Sequence, residues 1–531
     1  MGLTADPVRL EVFKHLFAAI AEEMGIVLQK ASFSPNIKER RDFSCALFNA
    51  HGDMIAQAAH IPVHLGSMPL SVAAALQKFQ AKSPGIGPGD VIILNDPYQG
   101  GTHLPDISMV TPIFIRENSL VAFAASRAHH ADVGGLASGS MSIAQEIFQE
   151  GIIIPPVKLI KAGELQQGVM DMVLANVRTR EERSGDLWAQ IAANRRGAAR
   201  FQELVSRYGL AEVQHYMNEL IAYSERMTRK LISDLPDGTF GFTDYLDDDG
   251  VSDDRVPIKV AVTINGDRAR VDFMGSAPQQ RGSVNAVYAI TLSAVYYVFR
   301  CLIQMDIPNN SGCLAPIEVI APAGTVVNAT SPAAVAGGNV ETSQRIVDVL
   351  LGALAQAVPK RVPAASQGSM NNVTIGGKAD SGEPFAYYET IGGGMGARPW
   401  AHGPSGVHSH MTNTLNTPIE ALEYAYPLQV LRYEIRRGSG GGGKFRGGDG
   451  IRRDIQILVD AQISLISERR RYPPYGLNGG GPGATGENYL LFDGKQQILP
   501  GKGSFYANAG DVLSVRTPGG GGFGNPEVEV R

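Results

Sequence analysis

The stretch VIILNDPYQGGTHLPD, residues 91–106, changes character after its fourth residue. Val91 to Leu94 is a short apolar run without polar alternation, as expected of a strand buried on both faces. Asn95-Asp96-Pro97 then signals a turn. Working outward, a second apolar run, Leu120 to Ala125, ends at Ser126-Arg127-Ala128-His129-His130 and continues into Ala131-Asp132-Val133-Gly134-Gly135. Two strand ends are thus expected to deliver His103, Asp106, His129, His130 and Asp132 into turns. Glycines beside His103 and after Asp132 let the backbone turn tightly and approach a ligand. His and Asp three apart, with a further His from a neighbouring strand end, form a mixed nitrogen and oxygen donor set. Such a set suits zinc, manganese or iron better than calcium or magnesium. The same residue types also cap turns at strand ends, and spacing alone leaves both readings open.

Around this segment the periodicity predicts an α+β protein. Asp6-Pro7 opens a helix as N-cap and first helical residue, and Leu10, Phe13, Leu16, Phe17, Ile20, Met24 and Val27 recur at helical spacing. Cys45 to Phe48 and Met54 to Gln57 flank a hairpin turn at Ala50-His51-Gly52-Asp53. Residues 176–235 read as helical and charged, with breaks at Gly185-Asp186 and at Gly209. Period-two strands follow at Ile258 to Ile264 and Arg268 to Phe273 around Asn265-Gly266, a strong hairpin signal. Ile317 to Ile320 and Val326 to Asn328 continue the strands, and helices are expected at Val287 to Gln304 and Glu341 to Val358. The expected division is an N-terminal α/β part with a helical insert (1–235), a strand-rich part (236–335) and a glycine-rich α+β part (336–531).

The chain has 531 residues, 44% hydrophobic and 19% charged, with a net charge of −5. These values are ordinary for a globular protein, and the charge argues against a nucleic-acid surface. The basic clusters at Lys38 to Arg41 and Arg469 to Arg471 read as salt-bridged turns. Three cysteines, Cys45, Cys301 and Cys313, give no disulfide framework and no cysteine zinc site. No secretory signal or membrane span is visible, so a cytoplasmic location is expected. The 62 glycines are dispersed, which points to tight backbone sites. Gly440 to Gly443 and Gly519 to Gly522 lack the Lys-Ser/Thr of a nucleotide-binding loop. Gly337-Gly338-Asn339 opens a helix whose N-terminus could receive an anion or be an ordinary cap. His60 and His64 could line the same pocket as the strand-end residues or be packing groups. His402, His408 and His410, near Asn413, Asn416 and Glu420, are expected at a substrate or subunit contact.

Eight segments in order carry a resemblance over most of the chain: ERRDFSCALF, NDPYQGGTHLPD, HHADVGG, GGNVETSQRIVD, SQGSMNN, GVHSHMTNTLNTPIEALE, GSGGGGKFRGGDG and TPGGGGFGNP. They resemble the signature segments of the hydantoinase B/oxoprolinase family. That family comprises hydantoin- and oxoproline-cleaving enzymes, caprolactam hydrolases and biotin-independent ketone carboxylases, each working beside an actin-like ATPase subunit or domain.

The resemblance implies a divalent metal (zinc, manganese or iron) held by Asp42, His103, Asp106 and His129. His129 is favoured over His130 as ligand. His130 is then expected to face substrate or support a ligand, and Asp132 to orient an imidazole or cap the Gly134-Gly135 turn; both are candidate catalytic residues. It further implies a hydantoinase A-like partner that handles ATP and magnesium, in a hetero-oligomer such as a heterotetramer. The expected activity is ATP-dependent opening of a lactam, hydantoin or 5-oxoproline ring. A ketone carboxylase subunit and a structural scaffold subunit are the alternatives.

Overall fold

The computed structural model describes residues 6–58, 60–79, 85–116, 119–303 and 305–526. Among these, the strands of the larger elements form four sheets. Helix α1 (Pro7–Ala31) begins as its sequence predicts, with the Asp6 carboxylate accepting from the Val8 N–H. The short α2 (Pro35–Lys38) follows. The expected hairpin forms as β1 (Phe43–Asn49) and β2 (Met54–Gln57). They join β3 (Val91–Leu94), β4 (Asp106–Ile115), β5 (Ser119–His129), β6 (Val157–Lys161) and β7 (Glu164–Leu165) in the order β2-β1-β5-β4-β3-β6-β7.

Both faces of this sheet are covered, so all seven residues of β1 are buried. Ala46 and Phe48 enter one core with Met68, Val72 and Leu76 of α3 (Ser67–Phe79). Cys45 and Leu47 enter another with α1, α5 (Arg180–Tyr208) and α6 (Leu210–Ser233), which follow α4 (Gln167–Ala175). Strand β4 is not among the expected elements, and it carries Pro112 inside it, where proline rarely enters a paired strand. β3 pairs only with Ser108 to Val110, so Pro112 lies beyond its end.

Helix α5 runs unbroken through Gly185-Asp186, where a break was expected. Gly185 admits the Phe33 ring, since a Cβ there would lie 2.5 Å from Phe33 Cγ. Asp186 accepts from the N–H groups of Phe33 and Ser34. The pair docks the α1–α2 connection instead of ending the helix. The break at Gly209 does occur, between α5 and α6.

The middle sheet has the order β11-β10-β9-β8, from β8 (Gly238–Leu246), β9 (Val256–Asn265), β10 (Arg268–Asp272) and β11 (Ile317–Ile320). Asn265-Gly266 turns β9 into β10. Helices α7 (Tyr288–Leu302) and α8 (Ser343–Ala357) pack nearby, α8 against β8 and β9. Val326 to Asn328 does not extend the strands. The segment is a turn in which Val326 and Val327 are buried, and Thr291 of α7 donates to the Val327 carbonyl. Its apolar run reports burial rather than strand pairing.

Beyond α8, two sheets face a shared core that includes Ile375, Tyr387, Ile455 and Leu513. One has β13 (Pro384–Glu389), β12 (Asn372–Lys378), β16 (Ala461–Ile466) and β19 (Lys502–Ala507) in that order. The other runs β14 (Leu428–Arg436), β15 (Gly450–Ile457), β20 (Val512–Arg516), β17 (Glu487–Phe492) and β18 (Lys495–Leu499). Helix α9 (Ile419–Ala425) packs against β14. Glycine loops join these elements backbone to backbone. A Cβ at Gly519 would lie 1.9 Å from the Ser439 carbonyl oxygen, and one at Gly448 1.9 Å from that of Pro404. No helix of the described residues is long and apolar enough to cross a membrane.

Candidate metal centre

The register of β4 with β5 sets Asp106 directly opposite His129. The turn before Asp106 is fixed by its own side chains. Asp96 accepts from the Tyr98 N–H, and Asn95 donates to the Leu104 and Ile152 carbonyls and accepts from the Ile154 N–H. Gly100 takes φ 87°, and a Cβ there would lie 2.4 Å from the Leu70 carbonyl oxygen. This geometry brings His103 Nε2 to 3.2 Å from Asp106 Oδ1, and His129 Nδ1 approaches the same oxygen at 3.4 Å. One ligand atom from each of His103, Asp106 and His129 lies within 4.8 Å of the others.

A third imidazole completes the cluster. His64, on a short helical turn at Pro62–His64, bonds Ser44 Oγ of β1 through Nδ1 at 2.8 Å. Its Nε2 lies 3.4 Å from Asp106 Oδ2. Thr102 Oγ1 donates to the same oxygen at 2.6 Å. Asn339 Nδ2 lies 3.0 Å from His103 Nε2, and Tyr388 of β13 stacks on the His129 ring at 4.3 Å. The Tyr388 hydroxyl donates to Asn372, and the Arg40 guanidinium lies 5.0 Å from the ring centre. His64, Asp106, His129, Asn339 and Tyr388 line a cavity of about 20 Å³, also walled by Asp42, Ile61, Val63, Val340, Met370 and Met411. That volume holds about one water-sized group.

Burial sets the electrostatics. It pushes His64 and His129 down, against the pull of Asp106, so both keep neutral, metal-ready lone pairs near pH 7. Burial alone would raise the Asp106 carboxyl, but the surrounding histidines, His103 foremost, hold it well below the usual carboxylate range. Burial raises Asp42, opposed by His129 and Arg40, with Arg40 Nη1 3.9 Å away. The donor set fits a divalent metal: His64 Nε2, His103 Nε2 and His129 Nδ1 converge on the Asp106 carboxylate, a mixed nitrogen and oxygen set.

The structure therefore brings together His103, Asp106 and His129, sets Asp42 on the cavity wall, and adds His64. It does not bring His130 or Asp132 to the cavity. Successive residues of a strand point to opposite faces, and His130 turns towards α5, where Nε2 meets Gln190 Oε1 at 2.9 Å. Burial, then Arg183, holds His130 down to about 4. Asp132 pairs with Arg178 at 2.8 Å and accepts from the Gly139 N–H, so it organises its own loop.

His408 and His410 are internal: burial lowers both, and His410 Nε2 lies 4.0 Å from Asp348. His402 accepts from the Arg446 N–H. Gly338–Thr342 forms a wide helical turn that carries Asn339 to His103 rather than an open N-terminus. Asn339 was singled out only as part of the Gly337-Gly338-Asn339 helix opening, not as a partner of His103, and Tyr388 was missed because it arrives from a distant segment with no local pattern to mark it. Larger hollows exist, including one of about 670 Å³ beside Phe33, Arg178 and Tyr424, but among the described residues no comparable set of metal donors converges there.

Comparison with known proteins finds relatives along nearly the whole chain. The family model for Hydantoinase B/oxoprolinase matches residues 6–526. An uncharacterized protein of Methanocaldococcus jannaschii is 45% identical, over 98% of this chain and 91% of its own. 5-Oxoprolinase 1 of Arabidopsis thaliana is 43% identical over 98% of this chain, which spans only 42% of that longer protein. Among solved structures, the ATP-dependent caprolactamase from Pseudomonas jessenii superposes with a TM-score of 0.91 at 31% identity, covering 98% of this chain and 92% of that one. An acetone carboxylase shares the fold with a TM-score of 0.92 at 21% identity, covering 98% of this chain and 76% of that one. The order of the sequence segments, the mixed fold and the match along nearly the whole length lead to one conclusion: the chain belongs to the hydantoinase B/oxoprolinase family.

Proposed function

We propose that this chain is the metal-bearing subunit of an ATP-dependent hydrolase that opens a cyclic amide, a lactam, hydantoin or 5-oxoproline ring. The observation that carries the reading is the buried His103–Asp106–His129 cluster beside a cavity for one water-sized group. Those three residues, with His64 and Asp42 on the wall, would hold one zinc, manganese or iron ion. Such an ion, when bound, supplies Lewis-acid polarisation and a water of lowered pKa. Asp106 orients the imidazoles, Asn339 and Tyr388 fix two of them, and Ile61, Val63 and Met411 exclude bulk water.

ATP is assigned to a hydantoinase A-like partner carrying ATP and magnesium. The glycine loops here are packed against other backbone and offer no phosphate cradle among the described residues. The relatives support the division: the plant oxoprolinase is more than twice as long as the matched region, and the caprolactamase is named as ATP-dependent. The ketone carboxylase alternative draws on likeness of fold alone.

The test is metal analysis and ATP-dependent ring opening by the chain with its partner, wild type beside His103→Ala. One divalent ion is expected in the wild type and none in the variant, with activity reduced ~10³-fold or more. Full activity of the isolated chain without ATP would refute the two-subunit reading.

A further inference from the structure

The metal cavity is too small for a ring, since about 20 Å³ admits little more than one water. If the chain opens cyclic amides, as proposed above, the body of the substrate must lie in adjoining space. Such space exists across a single wall. A cavity of about 380 Å³, within the range of small-molecule sites, is lined by Gln57, His60, Ile61, Tyr297, Arg300 and Cys301, among others. Ile61 lines both cavities. So does the segment that follows Met411: Met411 and Thr412 face the metal cavity and Asn413 the larger one. Hydrogen bonds from Val63 N–H to the Met411 carbonyl and from Asn413 to the His60 carbonyl tie the two wall segments together.

The larger cavity is chemically unfinished. Gln57 Oε1 and His60 Nδ1 are buried without a partner, and Gln57 is only 6% exposed. Unpaired polar atoms at such depth call for a ligand or water. Arg300 is its sole charged lining residue among those described. Nε and Nη2 of Arg300 are committed to Asn309 and the Ile307 carbonyl, which fixes the guanidinium plane. Its Nη1 makes no hydrogen bond to the described residues. A guanidinium held in this way presents a directed donor suited to a carboxylate.

We propose that this cavity is the antechamber of the metal centre, and that Arg300 there receives the carboxylate of a carboxyl-bearing cyclic amide while the ring amide reaches past Ile61. The site discriminates: a ring without the carboxylate gains nothing from Arg300.

The test uses the metal-loaded complex with its ATPase partner and two five-membered lactams, 5-oxoproline and 2-pyrrolidone, the second lacking the carboxylate. Arg300→Met is expected to lower kcat/KM for 5-oxoproline about ten- to hundredfold, mainly through KM. Its metal content and its 2-pyrrolidone turnover should be unchanged, and Arg300→Lys should recover part of the loss. Unchanged 5-oxoproline kinetics, or an equal loss on both lactams, would overturn the assignment. A second readout needs no turnover. Cys301 is exposed whereas Cys45 and Cys313 are buried, so N-ethylmaleimide should label Cys301 and 5-oxoproline should slow that labelling. Protection without ring opening would uphold the subsite and sink the hydrolase reading; ring opening without protection would do the reverse.

Discussion

Around Asp106 and around Asp348 the protein buries carboxylates almost completely, yet it surrounds them differently. At Asp348 the paired acids meet fixed cations, although Asp348 Oδ1 itself has no hydrogen-bond partner. Arg469 bonds Asp244 at 2.7 Å and Asp348 at 2.6 Å, Arg345 reaches Asp244 and Glu468 at 3.3 and 3.5 Å, and Lys502 pairs with Glu468 and Asp248. This network joins the end of β8, helix α8 and the segment after β16. At Asp106 the neighbours are the imidazoles of His64, His103 and His129, with the Thr102 hydroxyl. The difference separates a joint from a receptor. Matched charges hold elements together, whereas imidazoles converging on a carboxylate make a candidate ion site.

The contrast can be broken most forcefully at Arg469. Arg469→Ala leaves Asp244 and Asp348 with only the longer Arg345 ion pairs, 3.3 and 3.7 Å, and should cost about 3–5 kcal/mol of stability, read by denaturant melting. Metal bound per folded molecule should not change. Loss of metal at unchanged stability would erase the distinction. Asn339→Ala should do the opposite: metal affinity falls ~10–100-fold in a chelator competition while melting barely moves, because only the grip on His103 is lost.

Glu150 sharpens the comparison as a third case, a buried carboxyl with no cation. It accepts from the Val335 and Ala336 N–H groups through one oxygen, the other is unpartnered, and burial pushes it up to about 8. A carboxyl raised in the folded state keeps its full stabilising contribution below its unfolded value of about 4.5 and loses it as pH climbs towards 8. Stability should therefore decline across that window with a slope of up to about 1.4 kcal/mol per pH unit. Glu150→Gln, which cannot ionise, should flatten this part of the melting profile; an unchanged slope would mean the carboxyl is not the cause.

Much of the candidate metal centre was legible because its first members lie at or after the ends of two strands of one sheet, β3 and β5. The apolar runs before Asn95 and Ser126 mark those ends, while the preference for His129 over His130, and the place of Asp42, came from the family resemblance. Asp42, by contrast, reaches the cavity wall without joining the tight cluster of three. His64 was readable as a residue of the neighbourhood but not as the partner of Asp106, because nothing local reports a contact made across a sheet. Asn339 and Tyr388 come from segments more than 200 residues beyond the strand ends, and neither helical nor strand period encodes such a meeting. Within the fold, β4, which carries Pro112, was not among the expected elements, and α5 was split in error because Gly185 serves a neighbouring ring. Residue identity there answered to packing rather than to propensity.

The backbone-to-backbone glycine loops have a consequence for how this chain can change over generations. A glycine run in an unstructured tail drifts freely. At Gly448 and Gly519 the first carbon of any other residue would fall on a carbonyl oxygen, so a single codon change meets backbone that no rotamer can relieve. In a saturation library these loops should be depleted of substitutions as strictly as the metal donors, although they touch no substrate. A reader of such a library, seeing only intolerance, would mistake a shape constraint for chemistry.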